Sequence, residues 1–214
     1  ATVGQAKGVR PYSAGYFSSD PGTFLGKPQA NGYSLAARYM FSPVFGIKGG
    51  LHFEEIKNIK NNGSLPFKMQ QIGVSFQGVV NANRLFKIQE PMGRLAILIH
   101  GGLKIDAMTS KTQNIIEHDH NYNVTEYNGG LLIGVTPEFR ISKKMSVILD
   151  VTIQNNYRQH FNWDGTYSEI ENNLNGQLIT SSLGLTYSFG RNDIHGDYAI
   201  LKDKNIEEIE ALNK

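Results

Sequence analysis

The densest set of side chains able to do chemistry is Glu117-His118-Asp119-His120, with its two imidazoles and two carboxylates. Donors of this kind hold zinc-like ions when a fold converges them. Here they are consecutive in a polar stretch with no second cluster of comparable density, so a solvated loop tip is expected. No metal or other cofactor is expected either. His160, Ser168 and Glu169 place a base, a hydroxyl and an acid in one loop, the ingredients of a nucleophilic hydrolase. The patterns G-x-S-x-G, H-x-S and H-E-x-x-H do not occur. The chain is therefore expected not to be an enzyme. With no cysteine there is no disulfide framework, thiolate metal site or lipidated N-terminal Cys.

The remaining ionisable groups are arranged by period rather than by cluster. Arg38, Lys48, His52, Glu54, Arg94, His100, Lys104, Asp106, Glu126, Glu138, Arg140, Asp150 and Arg158 occupy alternate positions of successive extended runs. Side chains alternate faces along a strand, so these residues share one face of a sheet. Both signs of charge are present in near balance, which a closed interior requires because a buried ion needs a partner. These residues are expected to form a lumen charge network, with His52 and His100 as hydrogen-bonding members.

The elements that must position them are strands. The clearest is Gly176–Gly190, in which Ile179, Leu183, Leu185, Tyr187 and Phe189 alternate with small polar residues. The same alternation recurs at Gly32–Phe41, Val44–Lys57, Lys68–Asn81, Gly93–Asp106, Tyr122–Ile141 and Met145–Arg158, and more weakly at Ala1–Pro11. The fold class is thus all-β, an eight-stranded antiparallel up-and-down barrel over residues 1–190, and residues 191–214 lose the alternation. At 214 residues, 40% hydrophobic and 19% charged, the chain suits one such domain with a short appendage. Its net charge of +2 and lack of a basic stripe give no reason to expect nucleic acid. Ala1–Pro11 carries no signal-peptide pattern, as in a mature chain or one without a leader. The longest aliphatic run, Leu95–Ile99, is far shorter than the roughly 20 apolar residues of a membrane helix, so any membrane crossing must use a closed barrel.

Three features aim the apolar face outward into lipid. The apolar positions carry no charge; among them Leu51, Val74, Ile97, Ile99, Leu131, Ile133, Leu149, Val151, Leu183 and Leu185 form the expected aliphatic band. The polar faces hold Gly46, Gly50, Gly73, Gly102, Gly130, Gly134 and Gly184, which suit a narrow lumen where small residues must face large ones. Aromatics gather at strand ends: Tyr39, Phe41, Phe45, Phe139, Tyr187 and Phe189 at one, Tyr33, Phe53, Tyr127 and Tyr157 at the other. Two such girdles, with tight turns at one end and long loops at the other, are the pattern of outer-membrane barrels. Pro137 lies on the apolar face, and its missing N–H places it near the short-turn rim, at a bulge or where pairing frays.

On its eight runs and its last two strands, MSVILDVTIQNNYR and LITSSLGLTYSFG, the chain resembles the N-terminal transmembrane barrel of OmpA-like outer-membrane proteins of the Bacteroidetes type. The resemblance implies a structural barrel in the outer membrane of a Gram-negative bacterium, with periplasmic termini. It also implies a tether to peptidoglycan through a further C-terminal domain. Residues 191–214 would be a periplasmic linker, with Asp203 or Asn205 capping a short helix that carries Ile206 and Ile209. Expected partners are outer-membrane lipid and lipopolysaccharide, other outer-membrane proteins of a larger assembly, and peptidoglycan. Three alternatives stay open. The first is adhesion or partner binding through long loops bearing Tyr122, Tyr127, Phe161 and Trp163. The second is a soluble lipocalin-like binder with inverted faces, and the third is a conducting pore. An eight-stranded barrel is just wide enough for its side chains to fill, which favours a plugged lumen.

Overall fold

Period-two alternation becomes a closed sheet once every strand finds two neighbours. The computed structural model describes residues 1–18, 29–111, 125–166, 174–189 and 197–198. Its strands are β1 (Thr2–Arg10), β2 (Gly32–Met40), β3 (Phe45–Lys57), β4 (Lys68–Asn81), β5 (Leu95–Ser110), β6 (Thr125–Arg140), β7 (Met145–Gln159) and β8 (Leu174–Tyr187). They close in sequence order into one antiparallel up-and-down barrel. The β2–β3 and β6–β7 connections are tight, held by Ser42 and Ser142 hydroxyls that accept from the backbone N–H groups of Phe45 and Met145 at 2.8 and 3.0 Å.

Closure depends on β1, the strand with the poorest alternation. It pairs β8 from Thr2↔Gly184 to Arg10↔Gln177, with a bulge between Gly8 and Arg10. Against β2 it pairs only at Thr2, Val3 and Gly4. Farther along, Asn31 replaces the missing ladder with its side-chain amide. The amide accepts from Ala6 N at 2.7 Å and donates to the carbonyls of Ala6 and Glu55 at 2.8 and 2.7 Å. A primary amide can do this because it carries the same donor and acceptor as a peptide group.

The longer connection through Pro91 contains two helical turns, α1 (Ala82–Leu85) and α2 (Gln89–Met92). Asn81 caps α1 by accepting from Arg84 N at 3.2 Å. Asn83 then donates to the Leu95 carbonyl and accepts from Ile97 N, at 2.7 and 2.8 Å. Leu85 and Phe86 are left exposed beside the short-turn girdle. Pro137 pairs opposite Ile97 of β5, while the β7 ladder is interrupted between Val135 and Glu138. The proline faces the one ladder that has a gap for it, without a shift in register.

The barrel is inside-out relative to a soluble one. Leu35, Leu51, Phe76, Leu103, Ile105, Ile133 and Leu183 are each more than half exposed, whereas Glu54, Gln71, Lys104, Asp106, Glu138 and Asp150 are buried. Nothing in the described residues covers that apolar belt, and an uncovered surface of this kind marks a membrane contact. The strands satisfy their backbone groups in each other, which is how a sheet crosses hydrocarbon. No helix among the described residues is long and apolar enough to cross a membrane.

Candidate functional site

The functional candidate is the lumen, whose occupants change character along its length. At the long-loop end it is apolar. Ala6, Ile56, Phe67, Met69, Met108, Phe161, Trp163 and Leu178 form one buried cluster, with Tyr12 and Tyr16 packed against it. Trp163 comes from the β7–β8 connection and is fully buried; its indole N–H donates to the Arg10 carbonyl at 2.6 Å. Gly8 makes room for it, since a Cβ there would lie 2.6 Å from the indole ring. The loops above are tied to one another. Leu65 N donates to the Gly15 carbonyl at 3.0 Å, and Ser13 N donates to Asp164 Oδ2 at 2.6 Å. Burial pushes the Tyr12 phenol well above its usual range, with Asp164 adding to the shift.

The middle of the lumen is charged and paired. Asp150 is its hub, with Lys48 Nζ at 3.3 Å, His100 Nε2 at 3.2 Å, and donated hydrogen bonds of 2.7 Å from both Thr136 and Thr152. Asp106 is a second hub, in contact with His52 and 2.6 Å from Lys104 Nζ. Lys104 also hydrogen-bonds Gln154, and Glu54 is buried nearby. Small residues face these large ones: a Cβ on Gly134 would sit 2.6 Å from both His100 and Thr152. The ion pairs at these two hubs offset the cost of burying their charges.

Below this layer a cavity of about 750 Å³ runs from Arg38, Lys48, His100, Thr136, Glu138 and Asp150 to the outer surface between the β2 edge and the end of β8, where exposed Leu35, Tyr39, Leu185 and Tyr187 also line it. Its mouth at the short-turn end holds Asp197 and Tyr198, both buried. These two residues belong to the segment expected as a linker after residue 190, and they lie against the barrel mouth.

Four positions expected in the lumen lie outside it or at its rims. Arg94 is exposed and precedes β5, whose ladder begins at Leu95 rather than Gly93. Arg158 is exposed with φ 61°, because a bulge between Asn156 and Gln159 reverses the alternation and sends Gln159 inward instead. Glu126 is half-buried at the long-loop mouth, where it accepts two hydrogen bonds from His160 N at 2.9 and 3.0 Å. Arg140 is half-buried at the opposite rim. Arg38, Lys48, His52, Glu54, His100, Lys104, Asp106, Glu138 and Asp150 all point inward.

Outside, the girdle residues Tyr33, Tyr39, Phe41, Phe45, Tyr127, Phe139, Tyr157, Tyr187 and Phe189 are exposed, as are the band residues Leu51, Val74, Ile99, Leu131, Ile133, Leu149, Val151, Leu183 and Leu185. Phe53 is partly shielded and stacks 6.4 Å from Tyr33. Ile97 is also only half-exposed, beside Asn83, so it belongs to the short-turn rim and not to the middle of the band. Glu117–His120, Tyr122, Ser168, Glu169 and the helix expected near residues 203–212 lie outside the described residues.

Sequence reasoning missed Gln159, Trp163 as a lumen plug, and the Asp197–Tyr198 insertion. Only Trp163 carried a signal, being the single tryptophan of the chain and lying two residues from Phe161 in a mostly polar loop.

No family model matches this chain, and no curated protein matches it. Among solved structures it is similar to the crystal structure of Ail, the attachment invasion locus protein of Yersinia pestis. The identity is 13%, over 87% of this chain and 93% of that one, at a TM-score of 0.44. It is also similar to the backbone structure of the Yersinia pestis outer-membrane protein Ail in a phospholipid bilayer nanodisc. There the identity is 14%, over 85% and 94%, at a TM-score of 0.38. Likeness at that level is no guide to activity or partner. The barrel stands on its own closed topology and inverted surface.

Proposed function

We propose that this chain is a non-conducting structural barrel of a Gram-negative outer membrane, anchoring a rigid cap of loops at the cell surface. The observation that carries this reading is a lumen blocked at successive levels, by an apolar plug at one end, paired charges in the middle and a polar insertion at the other. A closed barrel of this size spends its interior on side chains. The short-turn end is assigned to the periplasm and the long-loop end to the exterior, following the usual asymmetry of such barrels. Reconstitution into planar bilayers tests it, with no single-channel steps expected; a steady ohmic conductance would sink the reading.

A second reading is favoured by the loop cap. The hydrogen bonds joining the β1–β2 loop to the β3–β4 and β7–β8 connections make a preorganised surface suited to a protein partner. A rigid surface loses less entropy on binding. The peptidoglycan tether rests on the resemblance to OmpA-like proteins alone. Co-sedimentation of the whole gene product with purified sacculi checks it, and a product that stays in the supernatant removes it.

A further inference from the structure

Asp197 and Tyr198 are the only described residues between Phe189 and the end of the chain, and both are buried in the mouth of the barrel. Their surroundings match them group for group. Arg38 Nη2 donates to Asp197 Oδ2 at 2.6 Å, while Arg38 Nη1 reaches Glu138 Oε2 at 3.1 Å. Asn81 Nδ2 lies 3.4 Å from the other Asp197 oxygen. The Tyr198 hydroxyl donates to the Glu138 carbonyl at 3.1 Å and sits 3.2 Å from Ser146 Oγ. The Arg140 guanidinium lies 5.1 Å from the centroid of the Tyr198 ring, within cation–π range.

Charge explains why this mouth needs an insert. The strands and α1 bring Arg38, Arg84 and Arg140 to it, but among the described residues only Glu138 faces them as a strand carboxylate. Asp197 supplies the second negative charge and attracts Arg84 as well as Arg38. The insert thus lowers the excess positive charge of this ring, costly to bury in a narrow lumen, from two to one.

We propose that the periplasmic mouth is a receptor for an acidic–aromatic pair, and that this chain fills it with its own Asp197–Tyr198 as a stopper. The stopper meets the 750 Å³ cavity at Arg38 and Glu138, which line the cavity and hold the insert, and so closes its short-turn side. It also fixes the exit segment at the barrel wall, so whatever follows Tyr198 starts from a defined point rather than from a loose tether. This goes beyond the anchoring role; only the word periplasmic rests on the orientation proposed above.

The absence of native cysteine gives a clean test. Thr136→Cys reports from inside the cavity, and Met108→Cys reports from the apolar plug at the far end. Each is placed in the full chain in liposomes, with the native stopper or with Asp197→Ala/Tyr198→Ala, and exposed to a membrane-impermeant maleimide. Heat-modifiable gel mobility verifies folding of every variant. With the native stopper both cysteines should react slowly. Removing the stopper should raise the Thr136→Cys rate about tenfold or more and leave Met108→Cys slow, because accessibility follows the opening equilibrium and each tenfold is one decade of that constant. Equal Thr136→Cys rates with and without the stopper, fast or slow, overturn the proposal. Fast labelling of Met108→Cys in the native chain would instead strike at the closed barrel itself.

Discussion

The two ends of the lumen are closed by opposite chemistry. The long-loop end is sealed by Trp163, Phe161 and their apolar neighbours, whose stability comes from area removed from water. At the short-turn end, Asp197 and Tyr198 make the seal, and nearly every contact there is a hydrogen bond or an ion pair. An apolar plug is non-directional and resists partial opening. A polar one is directional, and it weakens once a single partner is removed or water gains access. The first is built as a permanent wall and the second as a fitted insert.

Substitutions should separate these characters, most strongly at the apolar end. Trp163→Ala removes the largest fully buried side chain and should cost about 3–5 kcal/mol, read from denaturant unfolding in bilayers. A loss below about 1 kcal/mol would show that the cap does not hold that end together. Asp150→Ala leaves Lys48 and His100 facing an empty hub and should cost about 3–5 kcal/mol by the same measurement. Little change would mean that water already solvates the middle of the lumen.

On the outer wall, Leu149→Arg should cost about 2–4 kcal/mol if it sits near the bilayer midplane. Ile97→Arg should cost distinctly less, because its rim position lets the guanidinium reach the interface. Equal costs would place the two at the same depth. The smallest effect is expected at the insert. Asp197→Ala should cost about 1.5 kcal/mol, since Arg38 retains Glu138. A cost matching that of Trp163→Ala would erase the contrast between the two ends.

Much of this was legible in the residues. The β4 boundaries at Lys68 and Asn81 follow from alternation alone, and so does the split between Leu131 outside and Asp150 inside. Arg158 was not legible because a bulge inverts the parity on which the reading depends, and a single left-handed residue leaves no periodic trace. Arg94 was misplaced for a simpler reason: the strand starts at Leu95, two residues later than the expected start at Gly93. Tyr198 lies in a stretch without periodicity, so nothing local points to its partners at Glu138 and Ser146.

Along regular strand, away from bulges, the sequence by itself determined which residues face lipid and which face the lumen, because side-chain direction there is a local property of the backbone. It also determined the number of strands and the asymmetry of their connections. Only the tertiary structure decided which lumen charges meet, how each end is stopped, and that a segment beyond the last strand returns to the barrel. Those outcomes depend on contacts between residues as far apart as Arg38 and Asp197, which pattern along the chain cannot encode.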